Sequence, residues 1–238
     1  MSHFDEFIEH RTKVGRFSIT RGTLFSLIPL TLGALAMIAL TFFFSNRPDV
    51  HPDLLFTDMS DFADYVKYPQ PYIGLLSQVG LVFWFSGGSF CLMAGLVLLD
   101  SDRLSNRMKA YIFAWGFMGF YLGLDDMLLL HEHLLVVYLR LPENLSIALY
   151  LGIFPLVMVS FWREIWKTQF TFFLVFVALL LCSEIVDMLR PDSNHPILST
   201  MPLFTMLEEG SKFLGLIAFW TYCLRLSYLS LHPHHKTS

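Results

Sequence analysis

The chain has 238 residues, of which 55% are hydrophobic and 15% are charged, and its formal net charge is −4. Together with a positive mean hydropathy, this composition excludes a typical water-soluble globular domain. The small negative charge gives no indication of nucleic-acid binding. The sequence therefore predicts an integral membrane protein.

Six long apolar segments follow one another along the chain. Each is close to or longer than the roughly 20 residues that a helix needs to cross a bilayer. We therefore expect an all-α protein in which residues 1–238 form one membrane domain, a bundle of six transmembrane helices. The connection 45–71 is the one long loop, and it is expected to be either an amphipathic surface helix or a lid over an outward-facing site. The predicted spans are 22–44, 72–99, 110–139, 145–162, 168–189 and 200–228.

The lysines and arginines outside the spans are distributed unevenly. Eleven of them precede span one, follow spans two and four, or end the chain, and four lie in the other connections. Because cytoplasmic loops carry the excess of Lys and Arg, both termini are predicted to lie in the cytoplasm. The expected location is a bacterial cytoplasmic (inner) membrane.

Ionisable residues are concentrated in spans three, five and six, where seven carboxylic acids face one lysine. Each acid near the bilayer centre costs about 2.5 to 3.5 kcal/mol even on the lenient insertion scale. This region must therefore bind protons or cations. The residues concerned are Asp125, Asp126, His131, Glu132, His133, Glu184, Asp187, Glu208, Glu209 and Lys212.

Helical geometry divides these residues into two layers. At about 100° per residue, the Asp125–Asp126 pair and the Glu132–His133 pair share one face, and His131 lies outside it. The two pairs are separated by roughly 10 Å along the axis, which is too far for one metal ion. Matching the depths of the three spans predicts an outer layer and an inner layer. The outer layer is Glu132, His133, Glu184, Glu208 and Glu209, and the inner layer is Asp125, Asp126 and Lys212.

The outer layer predicts a divalent metal site, with Zn, Fe and Mn not distinguished by the sequence. Its expected ligands are His131, Glu132, His133, Glu184, Glu208 and Glu209. Glu132 or Glu209 would act as general base in a metal-dependent membrane hydrolase that takes a lipid or peptide substrate. The inner layer predicts an ion pair that joins spans three and six. Asp187, the acid closest to water, is expected to pair with Arg190 or to cap the loop that follows.

Two other classes of function fit the same charges. A proton- or cation-coupled transporter would load and release ions at Glu132, Glu184 and Glu208. An accessory subunit of a larger membrane complex would bury these charges against partner proteins. A measurement of bound metal distinguishes the three classes, since only the metal-dependent hydrolase requires a bound divalent ion.

Two resemblances rest on these same motifs. LDD and LLHEH within Leu124–His133, SEIVD at 183–187 and LEEGSKFLG at 207–215 resemble uncharacterised bacterial multipass membrane proteins with an LD[DE] and HE helix and a later EEG helix. That resemblance covers spans three to six and implies a membrane location without an activity. EEGSK, Glu208–Lys212, is similar to the EExxK element of PrsW-type intramembrane metalloproteases, which implies shared metal chemistry. The order departs from that family, because the next histidine is His232.

Overall fold

The computed structural model describes residues 21–45, 74–128, 140, 142–168, 170–189 and 201–232 of the chain. Within these ranges the side chains at 21–26, 41, 44–45, 143–151, 187–188 and 201–206 fall outside the description. The described secondary structure is entirely helical, as the sequence predicts. The helices are α1 Arg21–Ser45, α2 Leu75–Val97, α3 Asn106–Leu128, α4 Glu143–Ser160, α5 Trp162–Lys167, α6 Phe170–Met188 and α7 Met201–Leu231.

Helix α7 is the centre of the bundle. It packs against α1, α2, α3 and α6, and α2 packs in addition against α3. Gly80 on α2 lies beside Leu216, and Cys91 lies beside Cys223, so α2 and α7 run in the same direction. Equivalent contacts show that α1, α3 and α6 run in the opposite direction. Phe154 of α4 contacts Trp115, and Phe161, which directly follows α4, contacts Tyr111. This antiparallel order of α3 and α4 means that the six longer helices alternate in direction along the chain.

The alternation gives the bundle two chemically different ends. One end contains the start of α2, the end of α3 and the first half of α7, and we call it the acidic end because Asp126 and Glu209 lie there. The other end contains the start of α3, helix α5 and the last turns of α7. We call it the basic end because Lys167 and Arg225 lie there.

A closely packed aromatic core separates the two ends. Trp115 of α3 is fully buried, and its ring contacts Phe154, Phe173, Phe219 and Tyr222, which come from three further helices. Most of these ring pairs are edge-to-face, an arrangement that adds about 0.5 to 1.5 kcal/mol per pair beyond the area buried. Tertiary packing of this kind fixes α3, α4, α6 and α7 against one another.

Adjacent glycines let α2 approach two helices at once. A Cβ on Gly87 would lie 3.1 Å from the ring of Phe219 on α7, and a Cβ on Gly88 would lie 2.9 Å from the carbonyl oxygen of Gly116 on α3. Consecutive helical residues point about 100° apart, so one glycine serves each neighbour. Small residues allow two helices to approach each other this closely.

The outside of the bundle is also apolar. Leu35 of α1 is 62% exposed, and Leu156 and Val159 of α4 are 66% and 72% exposed. Helices of soluble proteins carry mainly polar residues on the face that points away from the core, whereas most of the described exposed positions of α1 and α4 are apolar. Among the described residues, Leu75–Val97 and Leu207–Leu231 are long and apolar enough to cross a membrane, and Leu27–Leu40 and Phe170–Val186 are shorter apolar segments.

The structure also differs from the predicted elements. Helix α5, Trp162–Lys167, was not predicted, and it occupies the connection between predicted spans four and five. Predicted span three, 110–139, can be compared with the structure only as far as Leu128, where the described part of α3 ends. Residues 129–139 and almost all of the predicted outer loop 45–71 lie outside the described residues.

Candidate functional site

The acidic end contains an ion pair between two helices. The Lys212 ammonium nitrogen lies 2.5 Å from an Asp126 carboxylate oxygen, which joins the first half of α7 to the last turn of α3. The Asp126 side chain is 9% exposed and that of Lys212 is 30% exposed. Asp126 and Lys212 are two of the three residues predicted from the sequence to form the inner layer. The pair therefore links α3 to α7 at this end of the bundle.

A small cavity adjoins this ion pair. Its volume is about 10 Å³, close to the space that a single water molecule requires. Three helices form its wall, because Ser77 comes from α2, Asp126 from α3, and Glu209 and Lys212 from α7. Apolar side chains complete the lining: Leu76, Phe213 and Leu216. Two carboxyl groups and one ammonium group therefore meet around a space that admits one small polar particle.

Glu209 occupies a different layer from the one that the sequence predicts. It was assigned to the outer layer with Glu208, but it lines the same cavity as Asp126 and Lys212. Residues three apart on a helix are neighbours on its surface, so Glu209 and Lys212 point to the same side of α7. The predicted division into two layers thus does not hold for Glu209, because a glutamate side chain reaches across one helical turn.

The other predicted site residues have varied positions. Asp125 is buried at 4% exposure, Glu208 is half-buried, and Glu184 of α6 is exposed. Each of the three makes a polar or electrostatic interaction within the protein. The cavity lining does not include any of them. The predicted residues His131, Glu132 and His133, and the side chain of Asp187, lie outside the described residues.

The predicted divalent metal site can be compared only with the part of the chain that the structure describes. There, no group of three or more His, Cys, Asp or Glu side chains is arranged to hold a metal ion. Half of the expected ligand set, residues 131–133, is outside that part. The metal site therefore stays a prediction.

A second charged contact, which was not predicted from the sequence, lies at the basic end. Arg107 Nε is 2.9 Å from a carboxylate oxygen of Glu164, and Arg107 Nη2 donates a hydrogen bond of 2.7 Å to the carbonyl oxygen of Ser160. Glu164 is 4% exposed and lies on α5. In the sequence, Glu164 is a single acidic residue in the basic connection between Arg163 and Lys167. The sequence alone predicts that such an acid is exposed to solvent, because it does not show a partner for it.

Comparison with known proteins assigns the chain to a family. The profile of a family described as a domain of unknown function (DUF8692) matches residues 28–226. The chain belongs to this family. The matched range includes the acidic-end cavity and the basic-end contacts. No curated protein and no solved structure matches the chain.

Proposed function

We propose that the chain is a multipass protein of the bacterial cytoplasmic membrane with six spans and both termini in the cytoplasm. Six described helices of alternating direction support this topology, as do the apolar exteriors of α1 and α4. The excess of Lys and Arg at the basic end supports its cytoplasmic position. In this topology the acidic end faces outward.

We propose further that the acidic end is a cation-exchange site, and that the protein is a proton- or cation-coupled transporter. The observation that carries this proposal is the cavity in which Asp126, Glu209 and Lys212 meet. Beside the Asp126–Lys212 pair, Glu209 adds a second carboxyl group to the wall of this cavity. A carboxyl group at a water-sized cavity can exchange its proton for a small cation.

The size of the cavity restricts what can exchange there. A volume of about 10 Å³ accommodates a water molecule, a proton carried by that water or a small bare cation. An organic substrate does not fit, since ligand pockets for drug-sized molecules measure roughly 300 to 1,000 Å³. Lys212 also opposes a divalent ion at this position, because its ammonium group lies next to Asp126. Protons and monovalent cations are the species that best match the site.

Proton release on cation binding tests this function. Purified, detergent-solubilised protein in weak buffer with a soluble pH-indicator dye would receive sodium, potassium, magnesium or zinc chloride in separate experiments. We expect one monovalent cation to displace about one proton per chain, because a cation that binds a protonated carboxyl group releases its proton. Glu209→Gln should abolish the release. Folded wild-type protein that releases no proton with any of the salts would refute the proposal.

Glu184→Gln is the matched control, since it makes the same chemical change at the same end of the bundle but outside the cavity lining. Cation exchange at the proposed site predicts normal proton release from this variant. Loss of release in Glu184→Gln as well as in Glu209→Gln would instead indicate the larger site predicted from the sequence, in which both residues are metal ligands.

A metal-dependent membrane hydrolase acting on a lipid or peptide is the second candidate. It is favoured by the position of Glu208 and Glu209 on α7, at the same end as the end of α3, after which residues 131–133 follow. A Zn, Fe or Mn ion would polarise a substrate carbonyl or phosphoryl oxygen, and Glu132 or Glu209 would act as general base. Elemental analysis of protein purified without chelator distinguishes the two candidates. About one or two divalent ions per chain would favour the hydrolase.

A further inference from the structure

A second cavity lies at the basic end, at the opposite end of the bundle from the acidic site. Its volume is about 250 Å³, and it opens between the start of α3, the end of α5 and the last turns of α7. Lys167 and Arg225 supply two positive charges to its wall, and its described lining contains no acid. Leu104 and Met108 form part of an apolar side. The cavity therefore combines a cationic wall with an apolar wall.

Two hydroxyl groups of the cavity wall, those of Thr168 and Tyr222, belong to a series of hydrogen-bonded hydroxyl groups. The Tyr222 hydroxyl contacts that of Tyr111 and lies 2.9 Å from Thr168 Oγ1, and Thr168 donates to the carbonyl oxygen of Ile165 at 2.9 Å. Each hydroxyl has one proton to donate. Because Thr168 uses its proton on the carbonyl, Tyr222 must donate to Thr168 and Tyr111 must donate to Tyr222. The hydrogen bonds between these hydroxyl groups therefore all run in one direction, and none of the hydroxyl protons points at a ligand.

The two cations supply the donors in this cavity. The Arg225 guanidinium lies over the ring of Phe172, 5.9 Å from its centre, and this cation–π contact holds it at the wall. A guanidinium group binds phosphate oxygens through paired N–H donors, and an ammonium group adds a point charge. Lys167 is exposed at the mouth of the cavity, where it meets an entering anion first.

We propose that this cavity binds a phosphate group, either on an anionic lipid or on a soluble phosphate compound. Its volume lies below the usual range of roughly 300 to 1,000 Å³ for drug-sized ligands, which fits a small anionic group. The apolar wall suits the glycerol and first acyl carbons that follow a lipid phosphate. This site is separate from the proposed cation-exchange site, and it does not depend on that function.

Ligand-dependent thermal stability tests the site. The melting midpoint of detergent-solubilised protein is measured by tryptophan fluorescence with added phosphatidylglycerol, phosphatidylcholine, sodium phosphate or sodium chloride. A ligand that binds only the folded state raises this midpoint. We expect phosphatidylglycerol or sodium phosphate to raise the midpoint of wild-type protein. Lys167→Gln should weaken that ligand's binding by about tenfold or more, because a charge-assisted contact is lost.

Arg163→Gln is the matched control, because Arg163 is an exposed residue of α5 outside the cavity lining. Because Lys167 is exposed, Lys167→Gln should fold like the wild-type protein. Lys167→Arg should retain the rise in melting midpoint with the ligand. A response to phosphatidylglycerol alone supports a lipid headgroup, and an equal response to sodium phosphate supports a soluble phosphate compound. No response to either, or equal losses in Lys167→Gln and Arg163→Gln, would overturn the proposal.

Discussion

Replacing Gly119 with alanine should separate α2 from α3. A Cβ at Gly119 would lie 2.8 Å from Gly88 Cα, 3.0 Å from Gly88 N and 3.0 Å from the carbonyl oxygen of Trp84. All three atoms belong to the backbone of α2, so no side-chain rotation can relieve the contact. The optimal separation of nonbonded carbons is about 3.5 to 4.0 Å, and the two helices must therefore move apart by about 0.7 Å or more.

The expected cost follows from two opposing effects. Overpacking of a close interface typically costs about 1 to 3 kcal/mol, and a gap of about 0.5 to 1 Å removes a quarter to a half of the dispersion energy of the atoms that separate. Alanine gains about 0.8 to 1.0 kcal/mol over glycine in intrinsic helix propensity. The net loss is about 1 to 2 kcal/mol, which lowers the melting midpoint by about 2 to 8 °C for a chain of this size.

Gly152→Ala provides the control for this measurement. Gly152 also lies in a helix, α4, but nothing lies within 4 Å of a Cβ built there. Both variants gain the same helix propensity, so the difference between their melting midpoints in detergent reports the steric contact alone. Gly152→Ala should melt at or above the wild-type temperature. A midpoint for Gly119→Ala equal to that of Gly152→Ala would refute the steric argument.

Two further predictions concern the ion pairs. Lys212→Met should destabilise the detergent-solubilised protein by up to about 3 kcal/mol. The double variant Lys212→Met with Asp126→Asn should lose less stability, because only the single variant leaves an uncompensated buried charge. Equal losses of the two variants in thermal melting would argue against the pair. At the basic end, Arg107→Gln should lower the melting midpoint more than Glu164→Gln, since the first leaves a charged carboxylate buried and the second leaves a neutral amide that still accepts a hydrogen bond; the reverse order would contradict this assignment.

Helical rise explains why the Asp126–Lys212 contact could be expected from the sequence. The hydropathy pattern sets where each span starts, and a fixed rise per residue then converts sequence position into depth. Depth alone does not resolve one helical turn, because a glutamate side chain spans that distance. This is the physical reason that Glu209 was assigned to the wrong layer while Lys212 was assigned to the observed one.

The contacts at the basic end could not be predicted in this way. Tyr111 and Tyr222 are 111 positions apart, and their hydroxyl contact depends on how α3 and α7 pack. Periodicity within one helix shows which residues share a face, but not which face meets a given neighbour. Adjacent small residues such as Gly87 and Gly88 are typical of close helix packing, so a close contact at Gly88 can be expected from the sequence. Its partners on α3, Gly116 and Gly119, required the packed bundle.

The aromatic core limits how the two ends can act together. Lys212 and Arg225 lie thirteen residues apart on α7, or about 20 Å along the helix. Between them, Trp115 and Phe219 are fully buried, and neither described cavity extends through their layer. In this conformation the proposed cation-exchange site would communicate with its own side of the bundle only. Transport across the membrane would therefore require α2, α3 and α7 to repack around Trp115, whereas proton release at the acidic end would not.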